Sequence, residues 1–330
     1  MNGEPAISIH RINTVEVHYW FTDDSHLMDA YVQNKCEYEF LGILKEICST
    51  FNVELVVETQ PLQNGGLRRW FRLTSKEEDK KATITIALIT ALLTTIIVTP
   101  LSTTISKVTE RAIDKLFEDS VMQSLEKEKL RLEVENLRLE VREKTEKLDT
   151  SNVIKKKKSN FYVTLDNYQK IDKVSYSYSH EHEEVLEEKI IQRNDFKKFI
   201  LVTDELEPIH EDEIVIEIIS PVLKKGNYKW MGIYNGEAVP FTMKSKEFKE
   251  LVQLGQVQFK NGTSINCSAI IKRKIDNEGI ERITNIEVNR VNHYFENDKP
   301  IETYEGRLHR KKKEAERKQY NLFKGNTEAE

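Results

Sequence analysis

The sequence has few of the residues that cross-link or interrupt a chain: 3 cysteines, 12 glycines and 7 prolines in 330 residues. Cys36, Cys48 and Cys267 form no C-x-x-C pair, and their odd number leaves one unpaired. This is typical of a reducing compartment rather than of a disulfide framework. The opening residues MNGEPAISIH lack a basic start followed by an apolar core, so we expect no cleavable signal peptide.

Apolar residues are also scarce, and neither sign of charge is in large excess. Hydrophobic residues make up 38% of the chain and charged residues 32%, with a net charge of −5. A nucleic-acid binder normally has a broad basic face, and neither candidate domain of this chain is basic. The composition therefore argues against nucleic acid as a partner. At about 150 residues per domain, the length predicts about two folded units.

One segment breaks this average, because residues 82–106 are 25 consecutive residues without a charge. About 20 such residues in a helix span the ~30 Å hydrocarbon core of a bilayer. The segment therefore predicts one transmembrane helix. Six basic residues lie shortly before it and three shortly after it, which favours a cytoplasmic N-terminus in a plasma (inner) membrane. The alternatives are a buried helix of a soluble oligomer and an in-plane or re-entrant segment.

Residues 1–78 predict a small α+β domain. Apolar and polar residues first alternate as in a strand, apolar residues then recur at the three- and four-residue steps of a helix, and a second strand-like alternation follows. Asp23, Asp24 and His26 lie at the predicted start of the helix. They are interpreted either as helix-capping residues or as a candidate functional cluster for catalysis or metal binding. No residue set specifies a reaction, and no pattern predicts a cofactor.

Residues 107–150 predict a coiled-coil helix, in which LRLEVEN at 130–136 is followed directly by LRLEVRE at 137–143. A seven-residue repeat of this kind indicates oligomerisation through an apolar seam. The seam residues are Leu130, Val134, Leu137, Val141 and Leu148. The alternative is a helix packed on one side within its own chain. Residues 151–159, with four consecutive lysines, are interpreted as a basic linker.

Residues 160–304 predict a mostly antiparallel β-rich domain, followed by a charged tail at 305–330. Asn-Gly pairs at 235–236 and 261–262, and a turn at 276–279, are typical of tight hairpins. An open sandwich or a barrel is the expected shape.

Two groups of side chains in this domain are candidates for binding. Tyr228, Trp230 and Tyr234 form a candidate ligand surface, with burial in the core as the alternative. His180 and His182 are candidate metal ligands, with a solvated acidic loop as the alternative.

These elements together predict an α+β multidomain membrane protein of bacterial type that crosses the membrane once. We expect a membrane-anchored, oligomerising sensor, effector or scaffold. Its expected partners are the lipid bilayer, further copies bound through the coiled coil and the transmembrane helix, and a protein or small-molecule ligand on the β-rich domain. The alternatives are a pore-forming or membrane-perturbing effector, a membrane-bound enzyme with an Asp/His site, and a soluble oligomer with a buried apolar helix.

Overall fold

The computed structural model describes residues 13–324 except for 24–26, 60–66, 77–79, 110–127, 180–187, 225, 227 and 297–298. The chain divides into two compact units. Unit 1 comprises Met1–Thr203 together with Asn277–Ile280, and unit 2 comprises Asp204–Asp276 and Glu281–Glu330. Each unit has a hydrophobic core of its own.

Unit 1 is built on a five-stranded antiparallel sheet in the order β2-β3-β1-β4-β5. The strands are β1 (Thr14–Phe21), β2 (Val56–Thr59), β3 (Leu67–Thr74), β4 (Ile171–Ser179) and β5 (Glu188–Gln192). The first four strands have the spatial order of a ferredoxin-like β-α-β-β-α-β unit, but at least three described helices instead of one connect β3 to β4, and β5 extends one edge. Because β4 and β5 complete this sheet, the separate β-rich unit begins only after them.

Helix α1 (Ala30–Phe51) begins and ends where its backbone groups find partners. The Asp29 carboxylate accepts hydrogen bonds from the backbone N–H groups of Tyr31 and Val32. At the other end, Asn52 adopts the left-handed conformation with φ 53°. An acidic N-cap and a left-handed C-cap are both common helix boundaries, and the helix starts several residues later than the position predicted at Asp23 and Asp24.

Helix α2 (Lys80–Val98) contains most of the uncharged segment, and it lies in the core of unit 1. Every residue from 87 to 97 is buried, and the helix packs against α1, β4 and the central strands. In the part of the chain that the structure describes, no helix is both long and apolar enough to cross a membrane. The predicted transmembrane helix at 82–106, the single-pass inner-membrane localisation and the cytoplasmic N-terminus are therefore wrong. A helix that is apolar on every side suits either lipid or a protein core, and here protein covers it.

Helix α3 (Glu128–Thr150) contains the seven-residue repeat, and the coiled-coil prediction is also wrong. Val141 and Leu148 are 1% and 0% exposed and belong to the core of unit 1. These two seam residues are thus used within the chain, because α3 packs on α1. Leu130, Val134 and Leu137 lie in the helix, but their side chains are outside the described part.

Helix α4 (Asn152–Asn167) contains the lysine run that the sequence suggests to be a linker. Ser151 caps the helix, and Lys156, Lys157 and Lys158 are 7%, 3% and 1% exposed. The Lys157 ammonium lies 3.3 Å from a carboxylate oxygen of Glu39 on α1. Buried lysines are rare unless paired, so the run is part of the packing of unit 1.

Unit 2 is a closed five-stranded barrel with one additional strand. Its strands lie in the order β11-β10-β8-β7-β6-β9, and β9 also pairs with β10. Only the β8–β10 pairing is parallel among the described pairs. With a helix between the third and fourth barrel strands, this connectivity is that of an OB-type Greek-key barrel. The elements are β6 (Glu205–Ser220), β7 (Trp230–Tyr234), β8 (Glu237–Met243), α5 (Lys246–Gln253), β9 (Ser264–Ile275), β10 (Glu281–Glu296), β11 (Lys299–Glu302) and α6 (Tyr304–Lys324).

The hairpin predictions in unit 2 are confirmed at two of three places. Asn235 and Gly236 join β7 to β8 with φ values of 52° and 81°, as a tight two-residue turn requires. The turn at 276–279 joins β9 to β10. Gly262 has a φ of 83°, but its turn leads into β9 and joins no strand pair among the described residues.

The start of helix α6 is capped by a side chain of helix α5. Ser245 caps α5 and donates a hydrogen bond to Glu305 at 2.8 Å. The Glu247 carboxylate of α5 accepts from the backbone N–H groups of Tyr304 and Glu305 at 2.6 and 2.7 Å. A carboxylate at a helix N-terminus is favourable, so the start of α6 is attached to the barrel through α5.

Candidate functional site

Strands β6, β7 and β8 carry apolar side chains on the outer surface of the barrel. The register places Glu217 opposite Ile233 and Met231 opposite Pro240, while the alternate positions, such as Ile216 and Phe241, form the core. We call the outward-facing apolar residues of these three strands the aliphatic face. They are Val215, Ile219, Met231, Ile233, Ala238 and Pro240.

The aliphatic face is accessible to solvent. Val215 is 52% exposed and Ile219 is 53% exposed. The loop between β6 and β7 adds Leu223 and Tyr228, which are 64% and 62% exposed. Contiguous apolar patches on a protein surface mark interaction sites more often than single exposed residues do.

The local sequence of β6 explains why this face exists. In the stretch EIVIEIIS at 213–220, the inward positions Ile214, Ile216 and Ile218 are buried in the core. Side chains alternate across a strand, so Val215 and Ile219 point outward together with Glu213 and Glu217. A half-buried strand normally places polar residues at those positions, and two of the four are instead aliphatic.

Glu217 lies within the aliphatic face. It sits between Val215 and Ile219 along β6, and its cross-strand neighbours are Ile233 on β7 and Ser264 on β9. Its side chain is half-buried. The structure gives its carboxylate no hydrogen bond and no ion pair with any described residue. Glu213, at the edge of the face, lies 3.4 Å from Lys313 in a largely exposed pair.

The aromatic residues of the candidate ligand surface are divided between the core and the surface. Trp230 is 2% exposed, and its ring packs against Phe241 and Phe248 at centroid distances of 5.7 and 6.2 Å. Tyr234 is half-buried against the same core. Tyr228 alone of the three is exposed, in the loop between β6 and β7. The sequence does not distinguish the ring in the core from the ring at the surface.

The described residues give little support to the other two sites that the sequence predicts, the Asp/His cluster and the histidine metal site. Asp23 lies 3.2 Å from the ammonium of Lys170 in a partly exposed ion pair, while Asp24 and His26 lie outside the described residues. The candidate metal ligands His180 and His182 also lie outside them. No group of three or more potential metal ligands occurs in the part that the structure describes.

The sheet of unit 1 carries a polar cluster that sequence patterns did not indicate. Glu16 accepts a hydrogen bond from the indole N–H of Trp70 at 3.1 Å and pairs with Arg68 at 3.3 Å. The ring of His18 lies 4.0 Å from that of Trp20. His18 and Trp70 are only 3% and 5% exposed. These groups therefore hold β1 and β3 together and do not present an open binding surface.

The three thiols are not suited to nucleophilic chemistry. Burial raises the pKa of Cys36 and of Cys267 to about 12, and that of Cys48 to about 11. A reactive cysteine needs a lowered pKa, because the thiolate is the nucleophile. The thiols of this chain therefore act as small core residues.

A cleft of about 280 Å³ also occurs in unit 2, at the turn before β9. Ligand pockets are usually larger and lined by apolar side chains, whereas this cleft is mostly polar. It is lined by Gln258, Lys260, Asn261, Gly262, Thr263, Phe295 and Glu296.

Comparison of the chain with protein-family models, with curated proteins and with solved structures found no match. The description of unit 1 as ferredoxin-like and of unit 2 as an OB-type barrel therefore depends on strand order alone. A fold type does not assign a function, which has to be inferred from the site itself.

Proposed function

We propose that this chain is a protein-binding factor in which the aliphatic face of unit 2 binds an extended, aliphatic segment of a partner protein. The observation that carries the proposal is the row of outward aliphatic residues across three neighbouring strands, with Val215 and Ile219 each more than half exposed. Alternate side chains of an extended segment match the two-residue period of a strand.

Covering this face contributes measurably to the affinity for a partner, although association also has a cost in lost motion. Complete burial of a Val or Ile side chain is worth about 1.5–3 kcal/mol. Because Val215 and Ile219 are about half exposed, covering both contributes about 2 kcal/mol, or about 30-fold in affinity. Met231 and Ile233 would add to this.

The chemistry of the face favours protein over nucleic acid. OB-type barrels that bind oligonucleotides use the corresponding strands, but they need stacking aromatic rings and a basic groove. Within the face and at its edge, the described outward residues of β6 from Glu213 onward and of β7 and β8 are the apolar residues of the face, Thr242 and the carboxylates Glu213 and Glu217. A polyanion would be repelled there. A small molecule would find an open surface and not an enclosed pocket.

Fluorescence anisotropy with a labelled peptide tests this function. The probe is a dodecapeptide of alternating valine and serine with a polyethylene glycol tail for solubility, compared with its alanine–serine counterpart. We expect the full chain to bind the valine peptide at least tenfold more tightly than the alanine peptide. The double variant Val215→Asp/Ile219→Asp should lose this preference, because it places two charges where the valines would pack.

Val202→Asp is the matched control, since Val202 is fully exposed and belongs to unit 1, not to the strands that form the face. The affinity of the Val202→Asp variant for the valine peptide should stay within twofold of that of the wild type. Circular dichroism should show that all variants remain folded. If the wild type does not discriminate between the two peptides, or if the double variant binds like the control, the proposed function is refuted.

A further inference from the structure

We infer that Glu217 selects a partner segment that brings a lysine or arginine side chain to the centre of the aliphatic face. This inference rests on the proposed function and adds the chemistry of the partner to it. It depends on one carboxylate that lies among aliphatic side chains without an ionic partner in the described structure.

Any segment that covers the aliphatic face must also contact the carboxylate of Glu217. Val215 and Ile219 flank it along β6, and Ile233 lies directly across on β7. A chain that packs on these three residues also covers the carboxylate between them. Glu217 is already half-buried before anything binds, so binding removes much of its remaining water.

The electrostatic consequence differs between partners. A carboxylate that loses water without gaining a partner opposes binding, whereas a cation placed against it offsets that loss. A neutral segment can therefore bind, a basic segment binds better, and an acidic segment is rejected. Specificity commonly arises from such an unfavourable arrangement with the wrong partner.

The same argument distinguishes a separate basic partner from a second copy of this chain. Two copies that met face to face would each bring Glu217, and Glu213 beside it, to one interface. Like charges in a covered interface disfavour that pairing. A basic, aliphatic segment fits both the apolar and the acidic parts of the surface.

Three peptides and one isosteric variant test this inference. The probes are dodecapeptides of alternating valine and serine in which one central valine, on the side that faces the protein, is replaced by lysine, by serine or by glutamate, titrated against the full chain by anisotropy. We expect the lysine peptide to bind at least tenfold more tightly than the serine peptide, and the glutamate peptide at least tenfold more weakly. In Glu217→Gln the total difference between the lysine and glutamate peptides should shrink at least tenfold.

Glu250→Gln is the control, because Glu250 is an exposed carboxylate on α5, away from the face. It should leave the peptide preference within twofold of the wild type, which separates the local effect of Glu217 from the net charge. Equal binding of the three peptides, with Val215→Asp/Ile219→Asp still abolishing it, would overturn the role of Glu217 and leave the proposed function standing. Failure of every valine peptide to bind would overturn both. Sedimentation velocity provides an independent test. If the wild type is a dimer and the Val215→Asp/Ile219→Asp variant is a monomer, a second copy of the chain occupies the face. That result would also overturn the inference.

Discussion

Replacing Lys158 by methionine measures what it costs unit 1 to keep a charge in its core. The Lys158 ammonium is 1% exposed and donates hydrogen bonds to the carbonyl oxygens of Ile96 and Thr99 at 3.1 and 2.8 Å. These carbonyls lie at the C-terminal end of α2, where a cation is favourable. Burial nevertheless dominates and lowers the pKa of Lys158 from 10.5 to about 8, although Asp149 opposes the shift.

The direction of the pH dependence follows from this lowered pKa. Below about pH 8, Lys158 is charged in both states, and the folded protein bears the full cost of the buried charge. Between pH 8 and 10.5 the folded protein releases a proton that the unfolded chain still binds, so its free energy of unfolding rises with pH. The difference between a pKa of 10.5 and one of about 8 corresponds to about 3 kcal/mol.

The measurement is the free energy of unfolding in urea for the wild type and for Lys158→Met, across that pH range. We expect the difference, wild type minus variant, to rise by about 3 kcal/mol. The raised pKa values of the buried thiols and of Tyr162 destabilise both proteins in alkali, and they cancel in the difference. Lys147→Met is the control, because that lysine side chain is 64% exposed, and its difference should stay flat. A flat difference for Lys158→Met as well would refute the reasoning.

Two further predictions concern residues that the core uses. Trp230→Ala should lower the free energy of unfolding, measured by chemical denaturation, by about 3–5 kcal/mol, because a large core side chain is lost. Tyr228→Ala is the control and should change it by no more than about 0.5 kcal/mol. A mild effect at Trp230 would contradict its place in the core. Cys36 and Cys267 are both 0% exposed with raised pKa values, so Ellman's reagent should modify them only after denaturation. Rapid modification of the native protein at both positions would show that the thiols are accessible.

Local boundary signals in the sequence predict several elements well, because their causes are local. Asn52 ends α1 in the left-handed conformation, and Asn235-Gly236 makes the β7–β8 turn. Ser245 caps the short helix α5 by accepting from the backbone N–H of Phe248. Each of these depends on backbone geometry within a few residues. No distant part of the chain has to be known to predict them.

The apolar run fails as a membrane signal because hydropathy does not identify what surrounds a helix. Some of its threonines satisfy their hydroxyls within the helix: Thr90 donates to the Ile86 carbonyl at 2.8 Å, and Thr94 to that of Thr90 at 3.0 Å. Such bonds form equally well in lipid and in a protein core. The decisive contacts come from α1 and β4, which are distant in sequence, and no pattern within the run predicts them.

The heptad spacing of α3 fails for a related reason. Val141 and Leu148 are seven residues apart and therefore share one helix face. A partner helix from another chain and a core within the same chain both bury such a face, and here the core of unit 1 does so. The repeat predicts that one face of the helix is covered, but the identity of the cover depends on the tertiary fold.

The aliphatic face is the part of the candidate site for which the sequence does hold a signal. In EIVIEIIS at 213–220, the inward isoleucines account for every second residue, so Val215 and Ile219 are apolar in excess of what one core requires. A strand that is apolar on both faces predicts a second covered surface, and Glu217 marks a charge within it. Which strands lie beside β6 cannot be deduced from this stretch, because β7 and β8 become neighbours only through the barrel connectivity. The register then brings Ile233 opposite Glu217, and the selectivity that we propose for Glu217 depends on this pairing.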